Sequence, residues 1–254
     1  LSPIEMERQQ EKYWNLNSTV AFIGDMNWET GQFFVDSYDE IDGGLDFYAP
    51  QTCQGPNGER YMVAWMQMWQ RSIPSHDLGH GWAGSMTVPR KLGLKDGRLV
   101  QELPESVKSH FIVENAPETI VKGNQIMIPA RGKQTLFEIY SKSDRSFILK
   151  YGDESDVDSA LQLIYDASNK RFSLSRDQFG HLISGKESPE FQSRWIQLDG
   201  EKDHHFSILR DANSIEVFVD GKTLSMTFYE TSQNPVYTLT ADEGVDLVVK
   251  TYQK

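Results

Sequence analysis

The 254-residue chain has a single cysteine, Cys53, so no intrachain disulfide can brace it. Thiol scarcity of this kind suits a reducing compartment, and a cytoplasmic location is expected. No apolar run approaches the roughly 18 residues that a membrane span requires, and Leu1 opens no signal peptide. Positive charge is also in short supply: 25 Lys and Arg stand against 37 Asp and Glu, a formal net charge of −12. Phosphate backbones and anionic membrane surfaces both attract basic faces, so neither nucleic acid nor membrane is expected as a partner. What the chain does have is apolar and aromatic side chains, at 38% and 11% of residues, ample for a packed core and against disorder.

Helical periodicity is nearly absent. Short β-branched or aromatic runs recur instead, at Thr19–Gly24, Gln32–Asp36, Tyr61–Met68, Gly84–Leu92 and Leu99–Leu103, separated by Gly, Asn and Asp turns. Gly55-Pro56-Asn57-Gly58 and Lys95-Asp96-Gly97-Arg98 are hairpin connections. Past Pro104 the texture changes. Glu105–His110 is a helical connector, followed by fresh strands at Thr135–Tyr140, Ser146–Tyr151, Ala160–Asp166, Arg171–Ser175, His205–Arg210, Ser214–Val219 and Val245–Thr251. In Ser214–Val219 the side chains of Ile215, Val217 and Val219 alternate with Ser214, Glu216 and Phe218, which predicts one inward and one outward face. Asp220-Gly221 then turns the chain. The fold class is all-β, with a boundary near residues 105–115.

Three stretches carry a family resemblance: DFYAPQT (Asp46 to Thr52), YMVAWM (Tyr61 to Met66) and WAGSMTVPRKLGLKDGRL (Trp82 to Leu99). Together they resemble glycoside hydrolase family 32, the β-fructosidases that include invertases, sucrose-6-phosphate hydrolases and fructan hydrolases. DANSIEVFVDGK (Asp211 to Lys222) is the most family-like run of the second half. The resemblance implies a five-bladed β-propeller followed by a C-terminal β-sandwich. Residues 1–104 then correspond to the last blades of the propeller and residues 111–254 to the sandwich. It also implies hydrolysis of sucrose, sucrose 6-phosphate or a fructan with retention, using neither metal nor organic cofactor.

Retaining glycosidases need two carboxyl groups about 5 Å apart, one as nucleophile and one as acid/base. In the family these arise from W-M-N-D-P-N-G, R-D-P and E-C-P motifs. None of the three occurs in this sequence. Gln54-Gly55-Pro56-Asn57-Gly58 echoes the first but has no Asp before its proline, and Arg210 precedes Asp211 without a following proline. No catalytic residue is therefore assigned in this chain. It reads as a C-terminal portion, inactive alone, whose partners are a fructose-containing saccharide and either the missing N-terminal propeller part or further copies of itself. A carbohydrate-binding, lectin-like module or a purely structural β-sandwich is the competing reading.

The substrate-binding candidates are Trp82, Asp46 and Tyr48. By resemblance Trp82 lines the fructose pocket, where an indole face packs on the sugar ring, and Gly79, Gly81 and Gly84 allow close backbone approach. The alternative is a core tryptophan. Asp46 and Tyr48 fall on one face of a strand and offer a carboxylate and a phenol to sugar hydroxyls, unless Asp46 is buried against backbone amides or Arg90. Asp42 is expected in a turn. The run Asp153, Glu154, Asp156 and Asp158 is read as a solvated loop rather than a calcium site. His76 and His80 share a loop, His204 and His205 point to opposite faces of a strand, and no metal site is assigned. Cys53 has no general base near it in sequence, and a buried thiol is expected. Trp195, Phe206, Phe218 and Phe228 are expected in the core.

Overall fold

The computed structural model describes residues 1–3, 5–111, 118–142, 144–156, 158–185, 192–198, 203–242 and 246–254. The strands β1 (Val20–Asn27) and β2 (Gln32–Glu40) form an isolated two-stranded antiparallel ribbon. Asn27 makes its turn, since its Oδ1 accepts the amides of Glu29 and Thr30 at 3.0 and 3.1 Å. A four-stranded antiparallel sheet follows, built in chain order from β3 (Tyr48–Gln54), β4 (Arg60–Trp65), β5 (Arg90–Lys95) and β6 (Arg98–Glu102). Asp96 and Gly97 both take positive φ, 51° and 70°, as a two-residue hairpin turn requires.

Two expectations shift in this region. The strand expected over Gly84–Leu92 begins only at Arg90, because Gly84 holds φ at 79° and Pro89 has no amide to pair. The stretch before Arg90 is tied to β4 through Thr87, whose hydroxyl accepts the Ala64 amide at 3.0 Å. Cys53, expected to be buried, is exposed on β3.

The remaining strands are β7 (Glu118–Lys122), β8 (Gln125–Pro129), β9 (Thr135–Ser141), β10 (Phe147–Asp153), β11 (Ala160–Asp166), β12 (Arg171–Ser175), β13 (Ser193–Gln197), β14 (His204–Arg210), β15 (Ser214–Val219), β16 (Lys222–Thr227), β17 (Pro235–Ala241) and β18 (Asp246–Gln253). The expected start of the last strand, Val245, lies outside the described residues, as do residues 112–115 of the expected boundary. These strands make two six-stranded antiparallel sheets, ordered β13-β12-β11-β10-β17-β8 and β16-β15-β14-β9-β18-β7. Phe147, Leu149 and Phe172 of the first sheet and Phe137, Phe206, Ile208 and Val217 of the second share one buried cluster. Fully burying each such side chain contributes about 1.5–3 kcal/mol. Among the described residues two short helices, α1 (Pro74–Asp77) and α2 (Glu105–Phe111), lie in the connections. Phe111 of α2 packs with Leu136, Leu209, Phe218 and Tyr252 against the second sheet. Among the described residues no helix is long and apolar enough to cross a membrane.

The expected outward face of β15 is not outward. All six of its residues are buried. Ile215, Val217 and Val219 enter the shared core, while Glu216 and Phe218 meet the four-stranded sheet and α2. The central cation of this junction is Arg90 of β5, fully buried. Its guanidinium donates to Asp42 Oδ2 and to Glu216 Oε2, both at 2.8 Å, and to Thr223 Oγ1 at 2.8 Å, and it also bonds Ser225 Oγ. Phe47 and Phe218 flank it, with the guanidinium carbon 4.6 and 5.6 Å from their ring centres. Burial works against this charge, but Asp42 and Glu216 outweigh it and raise the Arg90 pKa, so the cation is permanent.

Asp42 is thus more than the turn residue that its Asp-Gly-Gly context predicts. Its Oδ1 caps the Gly44 amide at 2.8 Å and accepts the Ser225 amide at 2.9 Å. The segment that it anchors runs alongside β16, where Gly43 donates to the Thr223 carbonyl and Leu45 to the Ser225 carbonyl. Gly44 is required there. A Cβ would stand 2.2 Å from the Ser225 backbone nitrogen.

Candidate active site

Trp82 sits on the loop that joins α1 to β5. Pro74 at the first helical position starts a single helical turn, so His76, expected in an irregular loop, is helical. The turn then unwinds through Gly79, Gly81 and Gly84, whose φ values of 71°, 83° and 79° only glycine adopts without strain. Gly84 also lies against the Trp65 indole, whose Nε1 would be 2.8 Å from an added Cβ. The result holds Trp82 at the surface, 41% exposed, with the His80 ring 6.0 Å away. It is not a core residue. Trp65 and Trp69 form an edge-to-face pair at 4.9 Å, with Trp69 72% exposed. That pair escaped sequence reasoning, although the YMVAWMQMW spacing holds it in plain view.

Asp46 and Tyr48 are not presented alike. β3 begins at Tyr48, with Asp46 before it, and a bulge between Tyr48 and Gln51 with Ala49 at φ 48° breaks the alternation. Asp46 is buried, and both of its carboxylate oxygens are engaged. Arg71 donates to Oδ1 at 2.8 Å; Arg176, at 2.6 Å, and the Thr227 amide and hydroxyl, both at 2.9 Å, donate to Oδ2. Burial opposes the anion, but Arg176, Arg71 and Thr227 hold its carboxyl below the usual range. The partners are arginines of the β4–β5 connection and of the loop after β12, not Arg90. Tyr48, also buried, donates its hydroxyl to the Ser2 carbonyl at 3.3 Å.

The other candidates have local explanations. Asp153 accepts the Ser155 hydroxyl at 2.6 Å and amide at 3.0 Å and the Gln233 amide at 3.1 Å, which lowers its pKa to about 2. His204 is buried on Asp220 at 2.8 Å, whereas His205, on the opposite face, bonds Glu138 and stacks on Tyr140 at 4.3 Å. Among the described residues no three His, Cys, Asp or Glu side chains gather as a metal site. Phe206, Phe218 and Phe228 are buried, while Trp195, on the outer face of the first sheet, lies under the Arg171 guanidinium at 3.7 Å. A cavity of about 710 Å³ opens between the β1–β2 ribbon, the Asp96–Gly97 turn and β16, and no residue from Ser72 to Met86 lines it.

Chemically, the Trp82 loop offers an exposed indole with an imidazole beside it and no carboxylate pair. The carboxylates of Asp42, Asp46 and Glu216 are held by arginines and so are unsuited to proton transfer.

Comparison with known proteins agrees with the local motifs. Residues 2–103 match the glycosyl hydrolases family 32 N-terminal domain and residues 100–253 the family 32 C-terminal domain. The chain is 30% identical over 252 residues to the raffinose invertase of Escherichia coli and 29% identical over 253 residues to a sucrose-6-phosphate hydrolase of the same species. Each alignment takes in 96% of this chain but 49% of the relative, so the chain spans about half the length of the curated relatives it matches. Among solved structures, a GH32 β-fructofuranosidase of Bombyx mori superposes with a TM-score of 0.81 at 22% identity, over 99% of this chain and 50% of that one. A sucrose-6-phosphate hydrolase of Lactobacillus gasseri superposes with a TM-score of 0.81 at 21% identity, over 95% and 48%. The exposed tryptophan loop, the all-β fold and these matches lead to one assignment: the chain belongs to glycosyl hydrolase family 32, a family of glycosidases of the β-fructofuranosidase and sucrose-6-phosphate hydrolase type.

Proposed function

We propose that this chain is the C-terminal portion of a β-fructosidase that hydrolyses sucrose, sucrose 6-phosphate or a fructan with retention, and that alone it does not turn over substrate. Residues 1–104 supply the last blades of a five-bladed propeller, and residues 111–254 form a β-sandwich. Trp82 is one wall of the fructose site. Asp46 holds the base of that region in place, and Tyr48 lies behind it. The nucleophile and the acid/base come from polypeptide beyond these residues.

The observation that carries this reading is Trp82 itself. A large indole, 41% exposed, is displayed on a glycine-rich loop in a chain of family 32 that lacks the family's carboxylate motifs. The β1–β2 ribbon adds support. Phe22, Met26, Trp28, Phe33, Phe34, Val35 and Tyr38 are all exposed on it, apolar surface suited to burial against further blades. A neighbouring structure, a variant of the Bombyx mori enzyme, is in complex with sucrose, which favours a fructose-containing ligand.

The test uses the purified 254-residue chain. Incubation with sucrose, raffinose or inulin is expected to release no fructose, and robust turnover without a companion polypeptide would overturn the fragment reading. Titration with fructose is expected to show weak binding that Trp82→Ala abolishes. Binding that survives Trp82→Ala and is lost in Trp195→Ala would instead favour a lectin-like module.

A further inference from the structure

The loop that carries Trp82 is tied at both ends to connections of the two-sheet unit, Ser184 between β12 and β13 and Asn213 between β14 and β15. At its entry, the Ser72 amide donates to the Ser184 carbonyl at 2.7 Å, and the Ser184 amide donates back to Ser72 Oγ at 3.0 Å. Arg71 bridges to Gly185 beside them. At its exit, Asn213 Nδ2 donates to Ser85 Oγ at 2.7 Å, linking residues 128 apart in the chain. Asn213 belongs to the tight turn between β14 and β15, and its carbonyl accepts the Phe228 amide at 3.0 Å, so its position is set by the two-sheet unit. Beneath the helical turn of α1, the buried hydroxyls of Ser75 and Tyr229 lie close together beside Asn213, without closing a well-aligned hydrogen bond. The Ser85 carbonyl also accepts the Met66 amide at 2.8 Å, so the end of β4 shares the exit anchor. Between the anchors the backbone bonds run from Ile73 to His80, and Gly79 and Gly81 have open space where a side chain would stand.

From this geometry we infer that Asn213 and Ser72 are positioning residues for Trp82, so that the two-sheet unit sets the orientation of the sugar-facing indole. The inference rests on the reading of Trp82 as a wall of the fructose site. Its physical basis is that orientation errors of about 1 Å in a binding group cost roughly 100-fold in productive encounters. A glycine-rich loop cannot supply that precision by itself. Hydrogen bonds to the β12–β13 and β14–β15 connections of the double sheet, one at each end, add to it.

The test uses the full chain labelled with 5-fluorotryptophan, the Trp82 resonance being assigned by its loss in Trp82→Phe. Asn213→Ala and Ser72→Ala are each expected to shift or broaden the Trp82 resonance while the Trp195 resonance stays in place. Asn213→Ala combined with Ser85→Ala is expected to move it no further than either change alone, because both remove one bond. Fructose affinity is expected to fall by about two- to tenfold in each single variant, the equivalent of one hydrogen bond. If Asn213→Ala fails to fold, Ser85→Ala deletes the same bond from the loop side and leaves the double sheet intact. An unmoved Trp82 resonance in Ser72→Ala and Ser85→Ala, or additive shifts in the double variant, would overturn the inference. A resonance that responds to these changes in a chain that binds no fructose would sink the sugar-wall reading alone.

Discussion

Two strands of this molecule with similar side-chain chemistry end in opposite environments. β15 reads Ser-Ile-Glu-Val-Phe-Val and buries all six residues. β2 carries Phe33, Phe34, Val35 and Tyr38, yet eight of its nine residues are exposed. Both have the β-branched and aromatic content that favours a strand. What separates them is the number of layers. β15 lies between the shared core and the four-stranded sheet, with Arg90 reaching Glu216 across the junction. Among the described residues no further strand is hydrogen-bonded to the β1–β2 ribbon. Strand propensity reports fitness for a pleated surface; only the surroundings decide whether that surface is dry.

The comparison breaks most sharply at Arg90. Arg90→Ala would leave Asp42 and Glu216 as buried carboxylates without their counter-ion, and such losses cost about 3–5 kcal/mol. Urea denaturation is expected to show a loss of that size; a loss under about 1 kcal/mol would mean that the ion network does not hold β15 in its doubly buried setting.

Glu40, where the ribbon meets the rest of the chain, sharpens the contrast through pH. Burial pushes its carboxyl up from 4.5 to about 8, against the opposing hydrogen bond from the Tyr13 amide. The folded protein therefore keeps Glu40 protonated at pH values where the unfolded chain has released the proton. The associated stability is fully present below about pH 4.5 and is lost as pH rises towards about 8. Comparing wild type with Glu40→Gln between pH 5 and 8 should expose a slope of roughly 1–3 kcal/mol in wild type that the variant lacks. Identical pH profiles would show that the root of the ribbon is wet.

The smallest effect on stability is expected on the ribbon itself. Phe33→Ser with Phe34→Ser should change folding stability by no more than about 0.5 kcal/mol, as exposed positions do. Sedimentation velocity should show less self-association, because an exposed apolar patch is removed. A large loss of stability would place these rings in a core and erase the contrast with β15.

Much of this was legible from residues alone. Alternation and turn chemistry located the hairpins at Gly55–Gly58 and Asp96–Gly97, the helical connector at Glu105 and most strands of the second half, because those signals act over a few residues. The family was legible in three short runs, and the missing carboxylate motifs needed only inspection. Trp82 was singled out by its WAG context, and its exposure agrees with a surface role.

The sequence by itself determined the strand content, the family and the absence of the family's catalytic motifs, since each is written locally in pattern or spelling. Tertiary structure alone decided the rest. It paired Asp46 with Arg71 and Arg176, Asp42 and Glu216 with Arg90, and Asn213 with Ser85, at separations of 25 to 130 residues. The physical reason is the range of the information. A period of two tells a residue which face of its strand it occupies, but which other segment covers that face depends on how the sheets stack. A buried charge then takes whichever partner that stacking brings within reach.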